Sequence, residues 1–414
     1  MRQWMFIPSL VTPIGQSVRC LMAKDYYAEI HDSVKAVDSE EWNSLIHSEW
    51  DVAMSQPFVH LIEATLSDQA RFWTIAIRDR QRRLAAAACL SLFETDVMQA
   101  APQFLQSAVE WVRSFWPQFL KSKVLFCGLP LPPGELHLRI RESTDPQPVL
   151  QLLTQVMLTI ARQEKAALLV FKEPDTEEMK VLAGLQTLGF INGEMEPLYQ
   201  LPCAFKNFQE YQSALRSSYR HQVQANVKKF KASGLKAEHI VDPQEIHARF
   251  TAEVHQLYLN VWKKAKEKLE CLPLSFFRDL PQVLPGLVSF TLISDGDKPV
   301  AFSLGIVEGE IYHNMYVGLD YSYTEKADLY FNLFYHELDA AFGYRKKQIW
   351  LGQTSGVFKS RLGAVADPRF FWVRSLNPFF QLIFKWFHPL IFPKLPPTKP
   401  NQVFKSTGAS QFKT

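Results

Sequence analysis

The sequence predicts an α/β fold, closer to α+β in its second half, built as two modules of mixed sheet flanked by helices. Three observations lead there. The chain has 414 residues, 47% of them hydrophobic and 21% charged, enough apolar surface for two cores of ordinary domain size. Strand and helix patterns alternate through residues 71–188, as in a sheet covered by helices. Residues 288–318 then hold three strand patterns joined by short turns centred on Gly296 and Gly309, which is the pattern of an antiparallel meander.

Residues 1–38 read as a loose leader, because the apolar patch of MRQWMFIPSLVTPIGQSVRC is short, broken by Pro8 and Pro13, and a poor signal peptide. The first module spans 39–204. Helical patterns cover 39–49 and 58–64, and RFWTIAIRD at 71–79 alternates as a strand. A second apolar run at 82–93 pairs with it as a hairpin across the polar turn 78–81. Helix 103–115, strand 123–129, helix 148–164 and strand 167–172 follow, then helix 177–188 with Gly189 as its C-cap. Residues 198–201 close the module.

The second module spans 205–375. A helix at 211–232 ends before Gly234 and carries Arg216, Arg220, His221, Lys228, Lys229 and Lys231, with Leu215, Val223 and Val227 as its buried stripe. One side of it is basic. A strand at 235–241, helices at 244–264 and 273–280, and strands at 288–293, 299–307 and 311–318 come next. Each half thus offers helices, a hairpin, then strand, helix, strand, and two related modules are expected although identity between the halves is low.

Residues 311–363, IYHNMYVGLDYSYTEKADLYFNLFYHELDAAFGYRKKQIWLGQTSGVFKSRLG, read strand, polar loop, amphipathic helix, strand, glycine turn and basic helix start. A strand that runs into a loop and a helix N-terminus sets backbone N–H groups where an anionic cofactor can sit. With the preceding LVSFTLISDGDKPVAFSLGIVEGE, this block resembles the second half of the Fem-like and BioF-like N-acyltransferases, which carry paired GNAT modules. PFVHLIEATLS and the hairpin after it are similar to the entry of the first GNAT module, so the likeness covers roughly residues 45–375. It implies transfer of an acyl or aminoacyl group, from acyl-CoA as first choice or from a charged tRNA, onto an amine acceptor held between the modules. Acyl-CoA would be a cosubstrate, with no tightly bound cofactor and no metal.

Transfer to an amine needs a hold on the acyl carbonyl, a route for the amine's proton and a stabiliser for the leaving group. On the strand at 311–318, alternation puts Asn314 and Tyr316 on one face and His313 on the other. They orient the donor, or are polar residues of a half-exposed sheet. In the loop 320–328 and the helix after it, the resemblance puts Lys326 at phosphate and Tyr330 in the substrate channel. Most GNAT enzymes carry a glycine-rich loop led by Gln or Arg at this point, and this chain has YSYTEKADLY.

In GQTSGVFKSRLG, Gly352, Gln353, Lys359 and Arg361 are the carrier contacts, Lys359 and Arg361 meeting phosphates of coenzyme A or of a tRNA end, or being solvated cations. Phe358 stands nearest to where many GNAT enzymes place a tyrosine acid. Glu173, closing the apolar strand ALLVFKEP, is a general base or amine anchor, or part of a plain surface turn. Tyr219, Arg220 and His221 grip an anionic acceptor, or form a solvated helix face.

Composition narrows the alternatives. Lys and Arg number 45 against 42 Asp and Glu, a net charge of +3, so no DNA partner is expected. Cys20, Cys89, Cys127, Cys203 and Cys271 are scattered without metal-ligand spacing, which suits a reducing, cytoplasmic setting. The tail 376–414 is aromatic and proline-rich. Its segment 376–397 holds six Phe or Trp among few charges, too short to span a bilayer yet able to lie in the headgroup region, hence peripheral membrane contact. A rival reading follows, in which the fold is kept as a non-catalytic scaffold at the membrane surface.

Overall fold

Small and β-branched side chains in ARFWTIAIRD and LAAAACLSLFETD set up the first hairpin, and the rest of the N-terminal core is laid against it. The computed structural model describes residues 6–11, 17–22, 25–46, 51–96, 121–265, 268–396 and 401–405. The chain divides into unit 1, Met1–Glu196 with Pro368–Pro396, and unit 2, Pro197–Asp367 with Pro397–Thr414.

In unit 1, β1 (Phe6–Val11), β2 (Ser17–Met22) and β3 (Tyr26–His31) pair antiparallel in succession. Helices α1 (Ser39–Asn43), capped by Asp38, and α2 (Gln56–Thr65) follow. Strand β3 pairs with β4 (Ala70–Asp79), which pairs with β5 (Leu84–Asp96). Strand β5 takes β6 (Lys121–Cys127) and the short β7 (Leu138–Ile140) as further antiparallel neighbours. Helix α3 (Pro146–Glu164), capped by Asp145, crosses over to β8 (Leu168–Lys172), which runs parallel to β6.

The core lies under α3. Its Val149, Leu153, Val156, Met157 and Ile160 pack with Ile75, Ile77, Leu90, Leu125 and Phe171 of the sheet. Helix α4 (Thr176–Val181) opens with a capping box of Asp175 and Glu178, and a 3-10 turn, Leu182–Leu188, ends at Gly189 with φ +85°. The next strand, β9 (Ile191–Pro202), carries the chain from unit 1 into unit 2.

Unit 2 begins with α5 (Phe208–Ala214), α6 (Ser217–Ser233) and β10 (Lys236–Ile240). Helices α7 (Pro243–Arg249), α8 (Ala252–Lys264) and α9 (Leu274–Val283) precede the meander β11 (Val288–Asp295), β12 (Lys298–Glu308) and β13 (Ile311–Leu319). Then come α10 (Thr324–Ala327), α11 (Leu329–Gly343), β14 (Gln348–Trp350) and α12 (Gly356–Arg361). The sheet order is β9-β14-β13-β12-β11-β10, antiparallel throughout except that β13 and β14 are parallel. Strand β15 (Val365–Ser375) returns the chain to unit 1, where its C-terminal half pairs with β8, and α13 (Pro378–Trp386) and α14 (His388–Ile391) follow.

The fold class is the expected mixed α/β, and its boundaries differ in five places. Within the expected loose leader, Phe6–Val11, Ser17–Met22 and Tyr26–His31 are strands, and Leu21, Ala28 and Ile30 are buried in the core under α3. Residues 376–396, expected as a separate tail, group with unit 1, and the divisions fall inside β9 and β15 rather than after 204 and 375. The helix expected at 211–232 breaks at Leu215 and Arg216, where residues 401–405 pair alongside: Leu215 bridges Phe404 and the Arg216 N–H donates to the Val403 carbonyl. The helix expected at 244–264 breaks after Arg249, and Thr251 caps the second part. The helix expected at 39–49 ends at Asn43, with 47–50 outside the described residues, as is the whole of 103–115.

Candidate active site

Unit 2 contains a fork in its sheet. Strand β13 carries one residue too many for its neighbour: Leu304 faces Tyr316 and Gly305 faces Asn314, so Met315 is a bulge. On the other side, its parallel ladder to β14 spans only Ile311–His313 against Gln348–Trp350. The two strands therefore part company where the bulge begins. Past β14, Gly352 turns the chain with φ +78° and Ser355 starts α12 with φ +60°, both in the left-handed region.

That turn delivers Lys359 into the fork. A Cβ added at Gly352 would lie 3.4 Å from the Lys359 Nζ and 4.0 Å from the Asn314 carbonyl oxygen, which places the amine beside the bulged strand. Lys359 is only 3% exposed, and burial alone pushes its amine down to about 7. The Tyr199 ring centre lies 6.0 Å from Nζ, and its hydroxyl packs so closely on Gly356 that any Cβ there would collide with it. An aromatic cluster packs against α12: Phe358 meets Tyr330 at 4.8 Å, Phe334 at 5.0 Å and Phe331 at 5.1 Å between ring centres. Burial raises the Tyr330 phenol, against a hydrogen bond with Ser355.

Behind the fork lies a fully buried carboxylate. Glu337 of α11 accepts from the Tyr312 hydroxyl, and burial raises its carboxyl against that hydrogen bond. The Asn314 amide donates to Ser303 Oγ at 2.8 Å. Tyr312 also contacts Ser289 Oγ at 2.9 Å, which contacts His239 Nε2 at 2.9 Å. His239 lines an open cavity of about 420 Å³ with Glu238, Thr291, His336, Asp339 and Tyr344. None of the fork residues lines that cavity.

The predicted site residues divide. Gly352, Lys359, Tyr330, Phe358 and Asn314 gather in and around the fork. Asn314 and Tyr316, expected on one face, lie on opposite faces: Asn314 turns to Glu337, while Tyr316 packs on Tyr258 and Phe277, each 5.8 Å away. The bulge at Met315 inserts the residue that reverses the alternation. Gln353 is half-buried beside Gly352, and Arg361 is exposed on the last turn of α12.

Lys326 is exposed, its Nζ 5.4 Å from the Tyr323 ring centre. Tyr219 joins the aromatic core of unit 2, Arg220 is half-buried and His221 is exposed, so the three do not share one face. Glu173 belongs to unit 1. It is not in a surface turn: it is buried at φ +62°, accepts from the Gly134 N–H at 2.9 Å and pairs with Lys172, while Arg369 donates to the Gly134 carbonyl. No sequence pattern assigns Tyr199, Ser355, Tyr312 or Glu337 to a site. The only sequence signal among them is Glu337, an acid within the mostly apolar run LYFNLFYHELDAAF, which also holds Asp339.

Compared with known families, residues 33–388 match the FemAB-like model, described as peptidoglycan biosynthesis/recognition. The chain belongs to the FemAB-like family. A search of curated proteins finds no sequence match. Among solved structures, the FemAB-like chain is similar to FemX, with TM-score 0.51 and 13% identity over 84% of this chain and 98% of that one. It is also similar to the C-terminal domain of a putative lysylphosphatidylglycerol synthetase from Agrobacterium fabrum, with TM-score 0.50 and 11% identity over 88% and 99%. A tandem GNAT protein from the clavulanic acid biosynthesis pathway matches at TM-score 0.47 and 10% identity, over 85% and 99%. Among the described residues of this FemAB-like protein, no group of three or more His, Cys, Asp or Glu is placed to hold a metal ion.

Proposed function

We propose that this FemAB-like protein transfers an aminoacyl group from the ester of a charged tRNA to the amine of a cell-wall peptide precursor. The observation that carries the reading is Lys359, an amine buried at the fork and held near neutrality at ordinary pH. The acceptor amine, uncharged, attacks the ester carbonyl carbon and forms the C–N bond. Neutral Lys359 takes the proton that the new ammonium must lose and returns it to the ribose oxygen as the C–O bond breaks. Backbone of β13 beyond the end of its ladder with β14 offers N–H donors to the carbonyl oxygen. Phe358 and Tyr330 form an aromatic wall that excludes water from the ester.

The loop 320–328 favours tRNA over acyl-CoA as donor. Its Asp320 accepts from Ser322 and pairs with Lys298 at 2.9 Å, and its Asp328 pairs with Lys229 at 2.9 Å. A pyrophosphate lying there would meet the carboxylates of Asp320, Glu325 and Asp328 with Lys326 as the loop's one cation. Gln353 and Arg361 flank Lys359 and are suited to the tRNA end, and Arg220 of α6 to an anionic group of the acceptor.

Single-turnover transfer of a radiolabelled amino acid from aminoacyl-tRNA, with acyl-CoA as the competing donor, tests this. The rate should climb with pH to a plateau above about 7, as Lys359 loses its proton, and should fall roughly 100-fold or more in Lys359→Met. Equal rates in that variant, or use of acyl-CoA alone, would overturn the assignment. No transfer from either donor is the result expected of the scaffold.

A further inference from the structure

Helix α13 is mounted with Gln381 and Phe384 inward. Gln381 Nε2 donates to the Gly189 carbonyl at 2.6 Å, its Oε1 accepts from the Ser375 N–H, and His388 bonds the Asn192 carbonyl at 2.6 Å. The Leu395 N–H donates to Glu194. Phe384 and Phe392 complete the inward contact, Phe392 meeting Phe371 at 5.1 Å between ring centres. The outward side is apolar: Phe379 is 66% exposed and Trp386 73%, with Phe380, Leu382, Phe387 and Leu390 exposed beside them. A solvated helix would put these groups the other way round.

Charge selects what covers the patch. Residues 376–396 hold Lys385 and Lys394, both exposed, and neither Asp nor Glu. Aromatic side chains with lysines around them, on a helix too short to span, suit the headgroup layer of an anionic bilayer. Among the described residues no helix is long and apolar enough to cross a membrane. We infer that α13 and α14 form a foot by which unit 1 docks on a membrane surface carrying anionic lipid. This holds whether or not the transfer chemistry is as proposed.

Flotation of the full chain tests the foot, with vesicles of phosphatidylglycerol in phosphatidylcholine set against phosphatidylcholine alone. Wild type should float with the anionic vesicles and far less with the neutral ones. The double variant Phe379→Ser with Trp386→Ser, at exposed positions and checked for an unchanged melting profile, should partition at least ten-fold less. Lys385→Glu with Lys394→Glu should abolish the preference for the anionic vesicles, while Lys359→Met should bind like wild type. Failure of wild type to float, or concentration-dependent dimers dissolved by the Ser substitutions without vesicle binding, would overturn the proposal.

Discussion

Lys359 is expensive for the protein to keep. Its folded-state amine titrates near 7, below the 10.5 of an exposed lysine, so the unfolded chain binds a proton that the folded chain refuses. Stability from this group is therefore lost as pH falls from above the unfolded value towards 7, and the loss is complete below that. Replacing it with Met keeps the volume and removes the charge, so Lys359→Met should raise stability by about 1–3 kcal/mol at pH 7, with the difference shrinking towards about pH 10. Urea midpoints of the two proteins at both pH values check it. A stabilising change that abolishes transfer is the mark of a group kept for chemistry.

At this scale the sequence was partly readable. Lys359, Gly352, Tyr330 and Asn314 were picked out by their place in the strand–loop–helix block, and the structure brings them to one fork. Burial is not readable there: the pattern offers Lys359 as a phosphate contact or a solvated cation, and the side chain is buried. Glu173 reads as a strand-end carboxylate open to ligand or as part of a surface turn, and the Gly134 contact that occupies it comes from a residue 39 positions away that no local pattern connects.

Among elements, β13 does most to shape the site, through its bulge and through a close approach. At Gly318 an added Cβ would sit 2.2 Å from the Phe302 ring and 2.8 Å from the backbone carbon of Leu257 in α8. Gly318→Ala must push helix from strand and should cost about 1–3 kcal/mol by thermal or urea unfolding. Gly343→Ala, at the end of α11 with open space around it, should be neutral or gain up to about 1 kcal/mol. Element type followed from periodicity in the meander, in α3 and in the first hairpin. What periodicity missed were interruptions set by distant chain: the break at Leu215 needs residues 401–405 beside it, and the bulge at Met315 leaves no mark in IYHNMYVGLD.

For the whole molecule, two units of mixed sheet and helix were legible from length and from the change of pattern between halves. The boundaries were not, because β9 and β15 each run through a division with no linker composition to announce it. Family membership over residues 33–388 accords with the resemblance carried by the block at 311–363, while donor and acceptor rest on the fork and its charges. All of this turns on one proton. NMR titration of the chain labelled with 13C at lysine Cε, the Lys359 resonance being the one lost in Lys359→Met, measures it directly: the account predicts a midpoint near 7, and a midpoint near that of exposed lysine, about 10.4, would contradict it.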